Sequence, residues 1–585
     1  MTEPRTKRRC LSNDNEDNPG TANDAGRATP SSLNHPISPP RKKSRMERKF
    51  FASPFRLTSI RDLSDADNVG AVSLNDLVGD PLIAELWDFN YLHDIEFLMG
   101  HLDEDTRALT RVHVVHGFWK REDSNRLMLQ DQAGRYKNVN LHTAYMPEMF
   151  GTHHSKMLVL FRHDDTAQVI IHTANMIAKD WTNMTNGAWI SPLLPKLKSP
   201  QQEAGIPGSI GSGSCFKMDL LSYLRAYNTK RGVCGSLVDD LVKYDFSAVR
   251  GALVASVPGK HDVDQAPETT RWGWKALEKT LKAVPSQTGA SELVVQISSI
   301  ATLGANDTWL QRTLFDSLSP SRSSPKHGSS AKPKFKIIFP TPDEIRRSLD
   351  GYASGGSIHT KTQSAAQTKQ LQYLQPFFHH WANDSAKGNA ISASASTSST
   401  SHPMVSGRKR AAPHIKTYIR YGEKSTIDWA LLTSANISKQ AWGEAVNKAG
   451  EVRIASWEIG VLVWPELLAG GDAKAIMVGT FKTDMPSEAD CSDLEDNSPV
   501  IGLRIPYDLP LQKYGDAEVP WVATMGYTEP DWMGRKRQGY LIVLSILIGL
   551  GLGLGLDRTF ASAKIHGSHE SVDEETPKGD RKETK

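Results

Sequence analysis

Two stretches of this chain, about 260 residues apart, carry the same polar residues in the same plan. "HHSKMLVLFRHDDTAQVIIHTAN" (His153 to Asn175) and "HIKTYIRYGEKSTIDWALLTSAN" (His414 to Asn436) each run His-x-Lys, apolar run, polar turn, apolar run, Ala-Asn. In both, a tryptophan follows six residues after the asparagine (Trp181, Trp442). Symmetry of a fold demands only repeated apolar periodicity, so identical polar residues point to shared chemistry. Lys156, Lys416, Asn175 and Asn436 form a set of donors suited to the oxygens of a trigonal-bipyramidal phosphorus, where negative charge builds up. His154 and His414 add a nucleophile and a proton donor, since an unperturbed imidazole, pKa roughly 6.5, supplies either form near neutrality. The reading is phosphoryl transfer with no metal and no cofactor.

The elements that must position these groups are hairpins. Met157–Phe161 with Val169–Thr173, and Thr417–Tyr421 with Ala430–Thr433, read as strand pairs closed by "RHDD" and "GEKS". The i, i+2 spacing sends each histidine and its lysine to one face, beside the asparagine at the end of the returning strand. Elsewhere "SELVVQISSI", "FKIIFP" and "EIGVLVW" read as strands and "SLNDLVGDPLIAELWDFNY" as helical, so the fold class is mixed α/β.

Length and composition set the frame. The 585 residues suit two sizeable cores plus tails, and 39% hydrophobic with 23% charged residues excludes a largely disordered or fibrous chain. Four cysteines without a CxxC pair favour neither a disulfide framework nor a thiolate zinc site. Residues 1–49 carry 11 Lys/Arg against 6 Asp/Glu, so any anion-binding surface on the near-neutral body is local. The expected organisation is a disordered basic arm over 1–50, folded domains over 51–248 and 249–535, and an atypical segment over 536–585. The cluster Arg41, Lys42, Lys43, Arg45 behind two prolines reads as a nuclear import signal. "KLKSPQQEAGIPGSIGSG", "SLSPSRSSPKHGSSAKPK" and "SAKGNAISASASTSSTSHPMVSGRKR" read as a surface loop and two low-complexity insertions. Gly539 to Leu556 is an uncharged run behind Arg535, Lys536 and Arg537, read either as a membrane anchor, weakened by alternate glycines, or as a wrong gene boundary.

The paired motifs resemble the duplicated His-Lys motif of the phospholipase D superfamily. "FGTHHSKM", "IHTANMIAKDW", "ISSIATLGANDTWL", "SLDGYASGGS", "PHIKTYIR", "TSANISKQAWG", "SWEIGVLVWP" and "PYDLPLQKYG" resemble its tyrosyl-DNA phosphodiesterase branch over about Ser53 to Trp521. Phe161 and Tyr421 stand five places after the lysines, where the wider superfamily has an acidic residue, which is a mark of that branch. The resemblance implies two similar α-β-α sandwich domains about a pseudo-two-fold axis, with the site between them. It implies His154 as nucleophile, His414 as acid and then base, and Lys156, Lys416, Asn175 and Asn436 as phosphate holders. Glu458 would support the first histidine and Asn186 the second, where the family commonly shows a longer amide. Ser298, Ser299 and Phe150 would contact DNA, although Phe150 equally suits a core position. His153 reads as a packed neighbour, and "GYASGGS" as a loop against substrate or an ordinary turn.

The implied partners are single- and double-stranded DNA and 3′ ends carrying a topoisomerase I peptide, handled by a nuclear monomer. A lipid phosphodiesterase and an inactive DNA-end-binding protein are the competing readings.

Overall fold

The computed structural model describes residues 48–198, 208–228, 232–263, 271–285, 289–320, 332–383, 403–471, 474–491 and 497–539. The basic arm, most of each low-complexity insertion and the apolar run from 540 onward lie outside the described residues. Among the described residues no helix is long and apolar enough to cross a membrane.

Two mixed sheets dominate. In the eight-stranded sheet the order is Phe55–Leu57, Gly187–Ile190, Thr166–His172, Met157–Arg162, Ile83–Phe89, Arg111–His116, Val139–Thr143, with Leu194–Pro195 paired to Thr166–His172. The ten-stranded sheet contains the matching series Ala252–Ser256, Glu458–Val463, Thr426–Thr433, Thr417–Tyr421, Glu292–Gln296, Lys334–Ile338, Phe378–His379. Every neighbouring pair has the same sense in both series: antiparallel up to Ile83–Phe89 and Glu292–Gln296, parallel beyond them. The motif hairpins occupy equivalent places, with Met157 opposite Ile171 and Thr417 opposite Leu432. The larger sheet adds Ile476–Thr480, Val500–Arg504 and, at its edge, Phe50–Phe51.

Period-2 alternation distributes the first sheet between two cores. Leu158 and Leu160 face the helices Leu74–Val78, Ile95–His101 and Ser124–Ala133, while Met157, Val159 and Phe161 face Gly213–Ala226 and Gly235–Leu241. That second core continues into the other sheet through Trp189, Ile415 and Leu432, making the α-β-α architecture one connected body. Cys215, Cys234 and Cys491 are buried and unpaired.

One expected helix is corrected. Within 73–91 only Leu74–Val78 is helical, and Ile83–Phe89 is a central strand. Gly79 and Pro81 break the helix, and a strand buried on both faces loses the alternation that would have revealed it.

Candidate active site

Both histidines lie just before their strands, and each is fastened to the opposite lobe. His154 N–H donates to Trp457 O at 3.0 Å and Trp457 N–H to Thr152 O at 2.9 Å. His414 N–H and Ile415 N–H both donate to Thr185 O at 2.9 Å, and Thr185 N–H to Ala412 O at 3.0 Å. The residue after each of these anchors then meets the imaginary two-fold partner's ring: Glu458 Oε2 accepts from His154 Nδ1 at 2.9 Å, and Asn186 Oδ1 from His414 Nδ1 at 3.2 Å. Thus one dipeptide, Trp457–Glu458 or Thr185–Asn186, fixes the main chain and the ring of the facing histidine.

The symmetry extends to the orienting hydroxyls. Ser434, two residues before Asn436, donates to Glu458 Oε2 at 2.5 Å, and Thr173, two residues before Asn175, donates to Asn186 Oδ1 at 2.9 Å. Asn186 Nδ2 donates to Asp180 O at 2.8 Å, which fixes the amide so that its oxygen faces the ring. The shorter amide therefore reaches His414. With Nδ1 committed on both rings, Nε2 is the nitrogen left to act.

Sequence reasoning missed Asp180, whose Oδ2 lies 3.1 Å from His414 Nδ1 and accepts from Asn175 N–H at 2.8 Å and Asn175 Nδ2 at 2.9 Å. Its place before Trp181 is taken by Ala441 in the second copy, so comparing shared residues passed over it. Thr173 and Ser434 were visible as a shared hydroxyl position.

Lys156 Nζ donates to His154 O at 3.3 Å and Lys416 Nζ to His414 O. Asn436 Oδ1 accepts from Ser298 N–H at 3.1 Å and Ser299 N–H at 2.9 Å, leaving its NH2 as a donor. The structure thus brings together the six motif residues with Asn186, Glu458, Ser298 and Ser299; Ser298 is buried and Ser299 half-buried. Phe150 stands 69% exposed on the preceding loop, which excludes the core position for it. That loop is strapped across the lobes by Glu148 to Arg453 and by Thr152 N–H to Ser456 Oγ at 3.1 Å. Only glycine fits at 151, where a Cβ would lie 1.9 Å from Ala455 O. Beside it, His153 is buried between Asn90 O at 2.9 Å and the Tyr227 hydroxyl at 3.0 Å. Tyr91 meets the His154 ring edge-on, centroids 5.8 Å apart. Of the two readings of "GYASGGS" the structure has the turn: Gly351–Ser357 is a 3-10 turn wrapped on the buried Trp521, where a Cβ at Gly355 would lie 2.2 Å from that ring.

Electrostatically the site packs buried lysines and histidines against Glu458 and Asp180. Burial pushes the His154 imidazole down to about 4 against the opposing pull of Glu458, and brings the Lys156 ammonium down to about 8. His414 falls well below its usual range through burial and then the charges of Lys416, Lys156 and His154; Lys416 is lowered too, by burial and by Lys156. These couplings mark the two motifs as one site. Ammonium, amide and imidazole donors at this density suit an anionic guest.

The tyrosyl-DNA phosphodiesterase sequence profile matches residues 54–515. The chain belongs to the tyrosyl-DNA phosphodiesterase family. A probable tyrosyl-DNA phosphodiesterase of Schizosaccharomyces pombe is 29% identical over 561 residues, covering 85% of this chain and 98% of the relative. One from Caenorhabditis elegans is 30% identical over 477 residues, covering 79% and 86%. A crystal structure of the yeast tyrosyl-DNA phosphodiesterase aligns with a TM-score of 0.56 at 21% identity over 80% of this chain and 98% of that one, which supports the shared fold. In this chain the acidic partner of each ring comes from outside the His-Lys motif: Glu458 for His154, and Asp180 beside Asn186 for His414.

Proposed function

We propose that this protein hydrolyses 3′-phosphotyrosyl and related adducts at DNA ends, such as those left by stalled topoisomerase I, through a covalent phosphohistidine and without a metal. The observation that carries the reading is the cross-lobe fixing of both Nδ1 atoms, by Glu458 and by Asn186 with Asp180, next to two ammoniums.

In the first step His154 Nε2 attacks phosphorus, the phosphorus–phenol oxygen bond breaks, and His414 gives its Nε2 proton to the departing tyrosine oxygen. The phosphate's negative charge raises the proton affinity of His414, against the burial and neighbouring cations that depress it. In the second step the now neutral His414 takes a proton from water, whose oxygen bonds to phosphorus as the phosphorus–nitrogen bond breaks. The products are a 3′-phosphate and the starting enzyme. Glu458 holds the positive charge that develops on His154, while Lys156, Lys416, Asn175 and Asn436 hold the equatorial oxygens. Phe150, exposed before the first motif, offers a face on which any base can stack, and Ser299 offers a hydroxyl to phosphate. A nuclear monomer acting on single- and double-stranded ends completes the reading.

The test is a 3′-phosphotyrosyl oligonucleotide in EDTA. Release of tyrosine with a 3′-phosphate left behind is expected. Binding without turnover supports an inactive end-binding protein, and cleavage of phosphatidylcholine in its place supports a lipid phosphodiesterase.

A further inference from the structure

Beside the cluster just described stand two cationic or proton-bearing groups that the mechanism does not use. Lys179 lies in the short helix Ala178–Thr182, immediately before Asp180. Its Nζ rests over the glycine turn, 3.1 Å from where a Cβ of Gly356 would be. His359 follows that turn: its N–H donates to Ser298 O at 2.9 Å, its carbonyl accepts from Ile300 N–H at 2.9 Å, and it pairs with Ser299 in a parallel bridge. It is therefore one backbone step from the two N–H groups that hold Asn436. Among the described residues neither Lys179 Nζ nor the His359 ring has a hydrogen bond or ion pair, and His359 is exposed while Lys179 is half-buried.

We propose that Lys179 and His359 form a second oxyanion subsite beside the scissile-phosphate cluster, taking the neighbouring phosphodiester of the bound DNA strand. The inference rests on the DNA reading of the site. Both groups sit on ordered backbone, one on a helix and one on a strand bridge, so their distance from the catalytic cluster is fixed. A DNA strand presents its next negative charge at a constant interval from the scissile phosphate, whereas the carboxylates of a peptide adduct fall at varying places. The field at this spot agrees: although the residue reaches solvent, the protein packed around the His359 ring and then Lys179, Lys361, Arg537 and Lys416 lower its imidazole, and the four cations mark a positive field. Asp180 and Asp350 act on Lys179 in the opposite direction to its burial. A neutral imidazole still donates one N–H to a phosphate oxygen, and the ammonium supplies the charge.

The experiment uses the full chain with Lys179→Gln, His359→Gln and the double substitution, and two 3′-phosphotyrosyl oligonucleotides. One is unmodified, and the other carries a neutral methylphosphonate at the linkage next to the scissile phosphate. On the unmodified substrate the double variant is expected to raise KM about tenfold with kcat within twofold, the loss of a charge-assisted contact. On the methylphosphonate substrate, wild type is expected to show that same raised KM and the variants no further loss. An unchanged KM, a fall in kcat in place of KM, or a gap between wild type and variant that persists on the methylphosphonate substrate overturns the proposal. The last result assigns the groups to the adduct's own carboxylates. A wild-type protein that releases no tyrosine from either substrate refutes the proposed function itself.

Discussion

Glu458 and His154 are 304 residues apart in sequence, yet the carboxylate accepts the imidazole Nδ1–H at 2.9 Å and is itself held by Ser434. The proton on Nδ1 keeps the lone pair on Nε2, so the carboxylate sets which nitrogen is free. Replacing Glu458 with Ala is expected to lower kcat by about 10–100-fold, the usual cost of removing a group that orients a functional imidazole. KM should stay near wild type, because the four residues proposed to hold phosphate are untouched. Steady-state kinetics on the phosphotyrosyl oligonucleotide checks this, and a loss confined to KM contradicts it.

The proposed mechanism has His154 and His414 act in order, so their truncations should fail differently. His414→Ala is expected to retain attack but stall before hydrolysis, accumulating a protein–DNA adduct visible on a denaturing gel. His154→Ala should form none. The reverse pattern exchanges the two roles.

Lys156, at about 8, imposes an alkaline limit. Above that pH the free protein loses the ammonium that the proposed mechanism sets against phosphate, so kcat/KM, which reports the free enzyme, should fall. Arginine keeps its charge far beyond this range. Lys156→Arg, at whatever reduced rate, should lack the limb centred near pH 8, and a limb that survives assigns it elsewhere.

Acid should destabilise the fold in a defined window. His116 and His153 are pushed down to about 3, and His142, His154 and His172 to about 4, all chiefly by burial. Unfolded histidines take up protons near pH 6.5 and these folded ones do not. Stability is therefore full above about 6.5 and lost progressively as pH falls toward 4. Denaturant midpoints measured from pH 8 to 4 should decline below 6.5, and a flat profile counts against the buried neutral rings.

Gly151→Ala should be costly despite its size. The added methyl meets Ala455 O, so the loop before His154 must shift. A loss of about 1–3 kcal/mol is expected from overpacking, together with reduced kcat because the histidine moves with the loop. Thermal melting and turnover of the same sample check both.

The motif hairpins were readable because the repeat preserves polar identities as well as periodicity: His-x-Lys, Ala-Asn and the following tryptophan survive in both copies. The fold class followed from the same strands. Ile83–Phe89 was lost to a helix reading because burial on both faces erases alternation. Asp180 was lost for the opposite reason: it breaks the repeat, supporting one ring where the other copy uses Glu458. The exposure of Phe150 and the tight turn at Gly351–Ser357 depend on neighbours distant in sequence, Ala455 and Trp521, which no local pattern announces.

The crossed anchoring has a temporal consequence. A growing polypeptide releases His154 long before it contains Trp457 or Glu458, and the Thr185–Asn186 segment waits likewise for His414. His414 is aimed only once it has itself been made, and His154 only once residue 458 has followed, so a chain carrying the first motif alone holds no oriented imidazole.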